Sequence, residues 1–201
     1  MTPLENKCLH EARRLHADVA YGGGRTMLDQ VMETALLINL CTDLSIEDRE
    51  TAICAALLHK CFEPKRIVQG AAPLTEGDVR RLAGDKVLSV VRELMTEPED
   101  KTKSKRDQWA EKAQWAKGLS QPAREILLAE KIVNFTTSRD RPNPSKPPEW
   151  HLEYFDTRML MVEALKDTNN TLYRIACQMK AHGVCAVSIM QAARARSNDG
   201  R

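Results

Sequence analysis

The chain has 201 residues, 42% hydrophobic and 29% charged, with a formal net charge of +2. That length suits one domain with a sizeable core. Aromatic residues are only 4%, so the core must be aliphatic. A charge this close to zero gives no reason to expect nucleic acid as a partner, and no apolar run approaches the length of a membrane span. The N-terminal residues Met1 to Lys7 lack the apolar core of a signal peptide. None of the 6 cysteines forms a Cys-x-x-Cys pair, which argues against a zinc knuckle and for reduced, buried thiols in a cytoplasmic protein.

Helical periodicity dominates in chain order. Leu4, Cys8, Ala12, Leu15 and Val19 recur at steps of three and four and predict a helix over 4–20. Gly22-Gly23-Gly24 is expected to stop it. Met27, Val31, Ala35 and Ile38 predict a second helix over 27–41, and Ser45 to Asp48 resembles a capping box for a third over 46–61. Residues 62–74 hold prolines and a glycine and read as loop. Thr75 to Asp78 opens a short helix, and 84–95 forms another. The charged stretch 97–107 leads into an amphipathic helix ending near 117.

Ser120-Gln121-Pro122 caps a helix over 121–136, with proline in its first turn. A proline-rich loop spans Arg139 to Pro148. Helices over 149–166 and 169–182 follow, with Gly183 as the expected stop. A last weak helix over 184–196 precedes a polar tail. No run reads as a strand. The expected fold is all-α, with one domain over 1–184, a C-terminal helix and tail over 185–201, and eight to ten helices in all.

The candidate chemistry lies at the end of the third helix. Ala55-Ala56-Leu57-Leu58-His59-Lys60 is an apolar run that delivers a histidine into or beside the core. A lone histidine there is more often a hydrogen-bonded core residue than a ligand. Glu130, however, lies in a second apolar segment, Ile126 to Ile132, where an unpaired carboxylate is costly. Two such polar groups on two core helices suggest one shared site.

Several stretches resemble the HD-domain (p)ppGpp hydrolases of the RelA/SpoT family, especially the stand-alone small alarmone hydrolases that include the metazoan SpoT homologue. They are Ala55 to Pro64, Asp100-Lys101-Thr102, Leu128 to Asn134 and Glu153-Tyr154-Phe155, and the resemblance runs over about residues 8–184. It implies an HD-domain helical bundle. It also implies a Mn²⁺-dependent phosphohydrolase that removes a pyrophosphate from (p)ppGpp, or acts on NADPH.

Carried over residue by residue, the first histidine ligand falls on Gln30, with Asp29 and Glu33 as alternative counterparts. The second is His59, the third is Lys60 in place of aspartate, and the fourth is Glu130. The family's catalytic Glu-Asp pair falls on Glu63 and Pro64. Lys131, Asn134 and Tyr154 match positions near the substrate pocket, while the basic cluster after the first helix is missing near Ala17 to Gly22. His16 stands where the family's first helix carries a histidine.

Lys60 is the decisive departure. An ammonium ~4 Å from a divalent ion is repelled by roughly 8 kcal/mol at an effective dielectric of ~20. That matches the binding free energy of a ligand of about micromolar affinity. The ammonium is therefore expected to replace the metal, paired with Glu130, Glu63 or both. The resulting expectation is a degenerate hydrolase that needs no cofactor and serves as a nucleotide-binding or interaction module. The alternatives are an active Mn²⁺ phosphohydrolase with a rebuilt site, in which Lys60 binds a substrate phosphate, and an oligomerisation role. For the last, Val184, Val187, Ile189 and Met190 offer an apolar patch for a homo-oligomer.

Overall fold

The computed structural model describes residues 1–95, 98, 100–143 and 145–199, with side chains described as far as 192. Glu97 and Glu99 of the expected charged stretch, Pro144 of the proline loop, and the side chains of Arg194 and Arg196 lie outside the described residues. Among those residues the elements run α1 (Pro3–His16), β1 (Ala20–Gly22), β2 (Arg25–Thr26), α2 (Met27–Cys41), α3 (Ile46–Leu58), α4 (Glu76–Met95), α5 (Lys105–Ala116), α6 (Gln121–Asp140), α7 (Pro148–Ala164) and α8 (Asn170–Asp199), with a 3-10 turn over Pro64–Arg66. The all-α expectation holds.

Local chemistry explains most boundaries. The Thr2 and Thr26 side chains accept the backbone N–H of Glu5 and Asp29, and their own backbone N–H groups donate to the Glu5 and Asp29 carboxylates, full capping boxes for α1 and α2. Ser45 accepts from Asp48 N at 3.1 Å to start α3, and Ser104 and Ser120 do the same for α5 and α6. Gly84, at φ 85°, splits α4 into the two helices expected there, because a left-handed residue cannot sit inside an α-helix.

Three expectations need correction. The first helix ends at His16 rather than at 20, and the glycines form the turn of an antiparallel hairpin, Ala20 to Thr26. Strands of 3 and 2 residues are too short to show an alternating pattern. The third helix ends at Leu58, so His59 is its C-cap. Gly183 stops nothing: α8 runs through it, and the boundary expected between 184 and 185 falls inside that helix. Glycine is needed there because a Cβ would strike the Phe155 ring of α7, with Cε1 at 2.7 Å.

The core is aliphatic, as the composition requires. Residues Thr51 to Leu58 of α3 are all buried, and α6 buries Ile126, Leu127, Leu128 and Ala129 in succession. Helices buried on nearly every side are central. α3 packs against α1, α2, α4 and α6, and α6 packs against α2, α7 and α8. His59 and Glu130 are thus delivered by the two central helices. No helix of the described residues is long and apolar enough to cross a membrane. Cys8, Cys54 and Cys61 are fully buried, whereas Cys185 is exposed.

Candidate functional site

His59 leaves the end of α3 pointing into the protein, and its side chain is buried. Its Nδ1 lies 2.7 Å from the Ala56 carbonyl. A carbonyl oxygen only accepts, so Nδ1 carries the proton and Nε2 presents a lone pair. His16, fully buried on α1, does the same with the Arg66 carbonyl at 2.6 Å. Neither Nε2 has a hydrogen-bond partner, and both amide atoms of the buried Gln30 on α2 also lack one. Buried polar atoms are nearly always satisfied, so these orphans call for an explanation.

The ionisation states follow from burial and charge. Burial, assisted by the Lys60 ammonium and opposed by Glu130 and the Ala56 carbonyl, pushes the His59 imidazole down to about 3. Burial likewise lowers His16, against the Arg66 carbonyl and the Glu63 carboxylate. Both rings are therefore neutral acceptors near neutral pH. For Glu130, burial favours the acid form. Lys131, then Lys60 and His59, and a hydrogen bond from Asn134 outweigh it and hold the carboxyl well below the usual range. Glu130 is thus a carboxylate among cations, with Lys131 Nζ at 3.6 Å.

Lys60 pairs with Glu63 at 3.4 Å, and Arg66 approaches the same carboxylate at 3.8 Å. Both expected partners bear on Lys60: Glu63 lies within ion-pair distance, and the Lys60 charge acts on Glu130, which also pairs with Lys131. The positions that the resemblance makes metal ligands hold the buried Gln30 amide, the His59 imidazole, the Lys60 ammonium and the Glu130 carboxylate, which is paired with Lys131. Among the described residues no group of three or more His, Cys, Asp and Glu side chains is arranged to hold a metal ion. Gln30 is buried but makes no hydrogen bond to His59 or Glu130.

A cleft of about 660 Å³ opens beside this centre, floored by Asn134, Thr137 and Ser138 of α6. The Gly22–Gly24 turn and Tyr21 form one wall, Trp150 and Tyr154 of α7 the other. The Tyr21 hydroxyl donates to Asn134 Oδ1, which connects the cleft to Glu130. Burial, with the nearby Glu130 carboxylate, raises the Tyr21 phenol, so it remains a donor. Arg141, at the end of α6, donates to the Gly23 carbonyl at 2.7 Å. A cation thus reaches the hairpin from another element, where the sequence after α1 lacks its own basic cluster.

Of the sequence-predicted residues, Asn134 and Tyr154 line the cleft, and Glu130 is joined to it through Asn134. Lys131 does not line the cleft; it is buried, with its Nζ 5.2 Å from the Trp109 ring centre. Trp150 stacks on Tyr154 with ring centres 5.5 Å apart, and the Arg158 guanidinium lies 3.6 Å from the centre of the Tyr154 ring. Sequence reasoning missed Tyr21, Arg141, Trp150 and Arg158. Trp150, at 38% exposure, is an exposed aromatic beside a cleft. Tyr21 beside three glycines is the one local signal of the hairpin wall.

The chain matches no protein-family model and no curated protein sequence. Its structure is similar to the solved structure of a metazoan ortholog of SpoT that hydrolyses ppGpp and plays a role in starvation responses. The TM-score is 0.72 at 21% identity, covering 92% of this chain and 98% of that one. The likeness establishes the fold, which this chain shares with that structure.

Proposed function

We propose that this chain is a nucleotide-binding module on an HD-domain hydrolase fold, without metal-dependent hydrolysis. Lys60 carries the reading. Its ammonium is paired with Glu63, and its charge acts on both His59 and Glu130, the positions that the resemblance makes metal ligands. A divalent cation there would meet a repulsion of roughly 8 kcal/mol at ~4 Å. The cleft supports the binding half: a stacked aromatic pair, an amide, hydroxyls and a cation suit a base, a ribose and a phosphate. Like the ortholog whose fold it shares, the chain would then bind ppGpp or a related nucleotide such as NADPH.

The test is direct. Purified protein with Mn²⁺ and either ppGpp or NADPH is expected to release neither phosphate nor pyrophosphate, while titration calorimetry detects binding of at least one of them. Mn²⁺-dependent release that disappears in His59→Ala would overturn the loss of catalysis. No binding of either would overturn the nucleotide reading.

One observation favours a second reading, an active phosphohydrolase with a rebuilt site in which Lys60 contacts a substrate phosphate. The lone pairs of His16 and His59 and the Gln30 amide are buried without partners and leave an acceptor-rich centre. Lys60→Asp with Gln30→His separates the two. Under the main reading the wild type binds no Mn²⁺ and the double variant gains affinity. Under the second, the wild type already releases product and the double variant does not exceed it.

A further inference from the structure

The Arg158 guanidinium is a built feature that the nucleotide reading does not use. It lies between two aromatic rings, 3.6 Å from the Tyr154 ring centre and 4.7 Å from that of Trp109. Its Nη1 reaches the Tyr154 carbonyl at 3.4 Å and Thr157 Oγ1 at 3.2 Å. The guanidinium also hydrogen-bonds to the Tyr154 side chain and feels the Glu130 charge; among the described residues no carboxylate lies within ion-pair distance of it. Burial lowers its pKa, which marks a partly desolvated charge.

Such a charge, fixed by stacking and without an ion-paired carboxylate, is preorganised to meet an oxyanion. Arg158 lines a notch of about 70 Å³ together with Lys105, Trp150, Glu153, Tyr154 and Thr157. Lys105 is exposed and makes no ion pair among the described residues. Glu153 also lines the notch, but it is exposed and paired with neither cation. Trp150 and Tyr154 belong to both the notch and the main cleft. One ligand can therefore stack on them and extend past their edge.

We propose that Arg158 and Lys105 form a phosphoryl-binding subsite for a ligand whose aromatic ring stacks on the Trp150–Tyr154 pair. This rests on the nucleotide reading for the ring, but the notch can be tested without it. Fluorescence titration of the full chain would use adenosine, 5′-AMP, 3′-AMP and inorganic pyrophosphate as probes. At least one monophosphate should bind tenfold or more tightly than adenosine. Arg158→Gln and Lys105→Gln should each reduce that gain severalfold and leave adenosine binding unchanged.

The exposed Lys105 variant keeps the test intact if Arg158→Gln fails to fold. Equal loss of adenosine and monophosphate binding in Arg158→Gln, with Lys105→Gln unaffected, would make Arg158 a packing residue and sink the proposal. If no nucleoside binds, the ring-stacking reading fails on its own. Pyrophosphate binding that both variants weaken would then still support the subsite, and its absence would overturn it.

Discussion

His59 is held neutral in a place where every nearby influence except Glu130 and one carbonyl disfavours its charge. That has a consequence for stability. The folded pKa of about 3 lies below the ordinary 6.5, so between those values the unfolded chain binds more protons. Stability is therefore lost as pH falls through this window, with a slope of at most about 1.4 kcal/mol per pH unit for this ring. His16, also lowered, acts in the same direction. Glu130 adds its own loss only as pH falls into the carboxylate range below about 4.5.

Urea denaturation between about pH 7 and pH 5 should isolate the histidines. We expect wild-type stability to drop across that interval and His16→Asn/His59→Asn to flatten the drop; an unchanged slope in the double variant would refute the assignment. The histidine and the lysine beside it were legible from the apolar run that ends in them. The orphaned Nε2 atoms were not, because a hydrogen-bond deficit depends on neighbours from other helices.

At the scale of elements, glycine shows how one residue type can mean opposite things. Gly84 breaks α4 because its backbone is left-handed, and Gly23, at φ 57°, turns the hairpin against Arg141. Gly183 lies in the middle of α8 and serves only to let the Phe155 ring approach. Gly183→Ala would gain about 1 kcal/mol of helix propensity. It would also force overpacking between α7 and α8, typically 1–3 kcal/mol. We expect net destabilisation by about 1 kcal/mol, read from the urea midpoint, and relief when Phe155→Leu is added. A more stable Gly183→Ala would mean the ring moves aside freely.

Capping predicts a second local effect. Thr26 closes the hairpin and opens α2, accepting from Asp29 N at 3.1 Å. Thr26→Ala should cost about 1 kcal/mol of stability, measured the same way. Capping residues and proline positions were readable because they act within one turn. The reason for Gly183 was not, since the ring it serves is 28 positions earlier on another helix.

For the molecule as a whole, α1 to α8 contribute to one continuous aliphatic core. A ligand bound to the native cleft should therefore shift unfolding of the whole domain. At a nucleotide concentration about 100 times its Kd, the unfolding free energy should rise by about 2.7 kcal/mol. Tyr154→Ala and Asn134→Ala, each lining the cleft, should reduce the shift measured in a thermal or urea melt. An undiminished shift in both would place the ligand elsewhere.

The sequence by itself determined the all-α class, nearly every helix, the aliphatic character of the core and the place of Lys60 beside His59. Periodicity, capping and residue charge are written locally, within a turn or two of the chain. Only the tertiary structure decided that Lys60 pairs with Glu63, that Glu130 is held by Lys131 and Asn134, and that Tyr21, Arg141 and Arg158 border the cleft and its notch. Those outcomes depend on which side chains four separate helices and a hairpin bring within a few ångströms of one another. Burial and charge at such a centre are properties of the assembled fold and of no single segment.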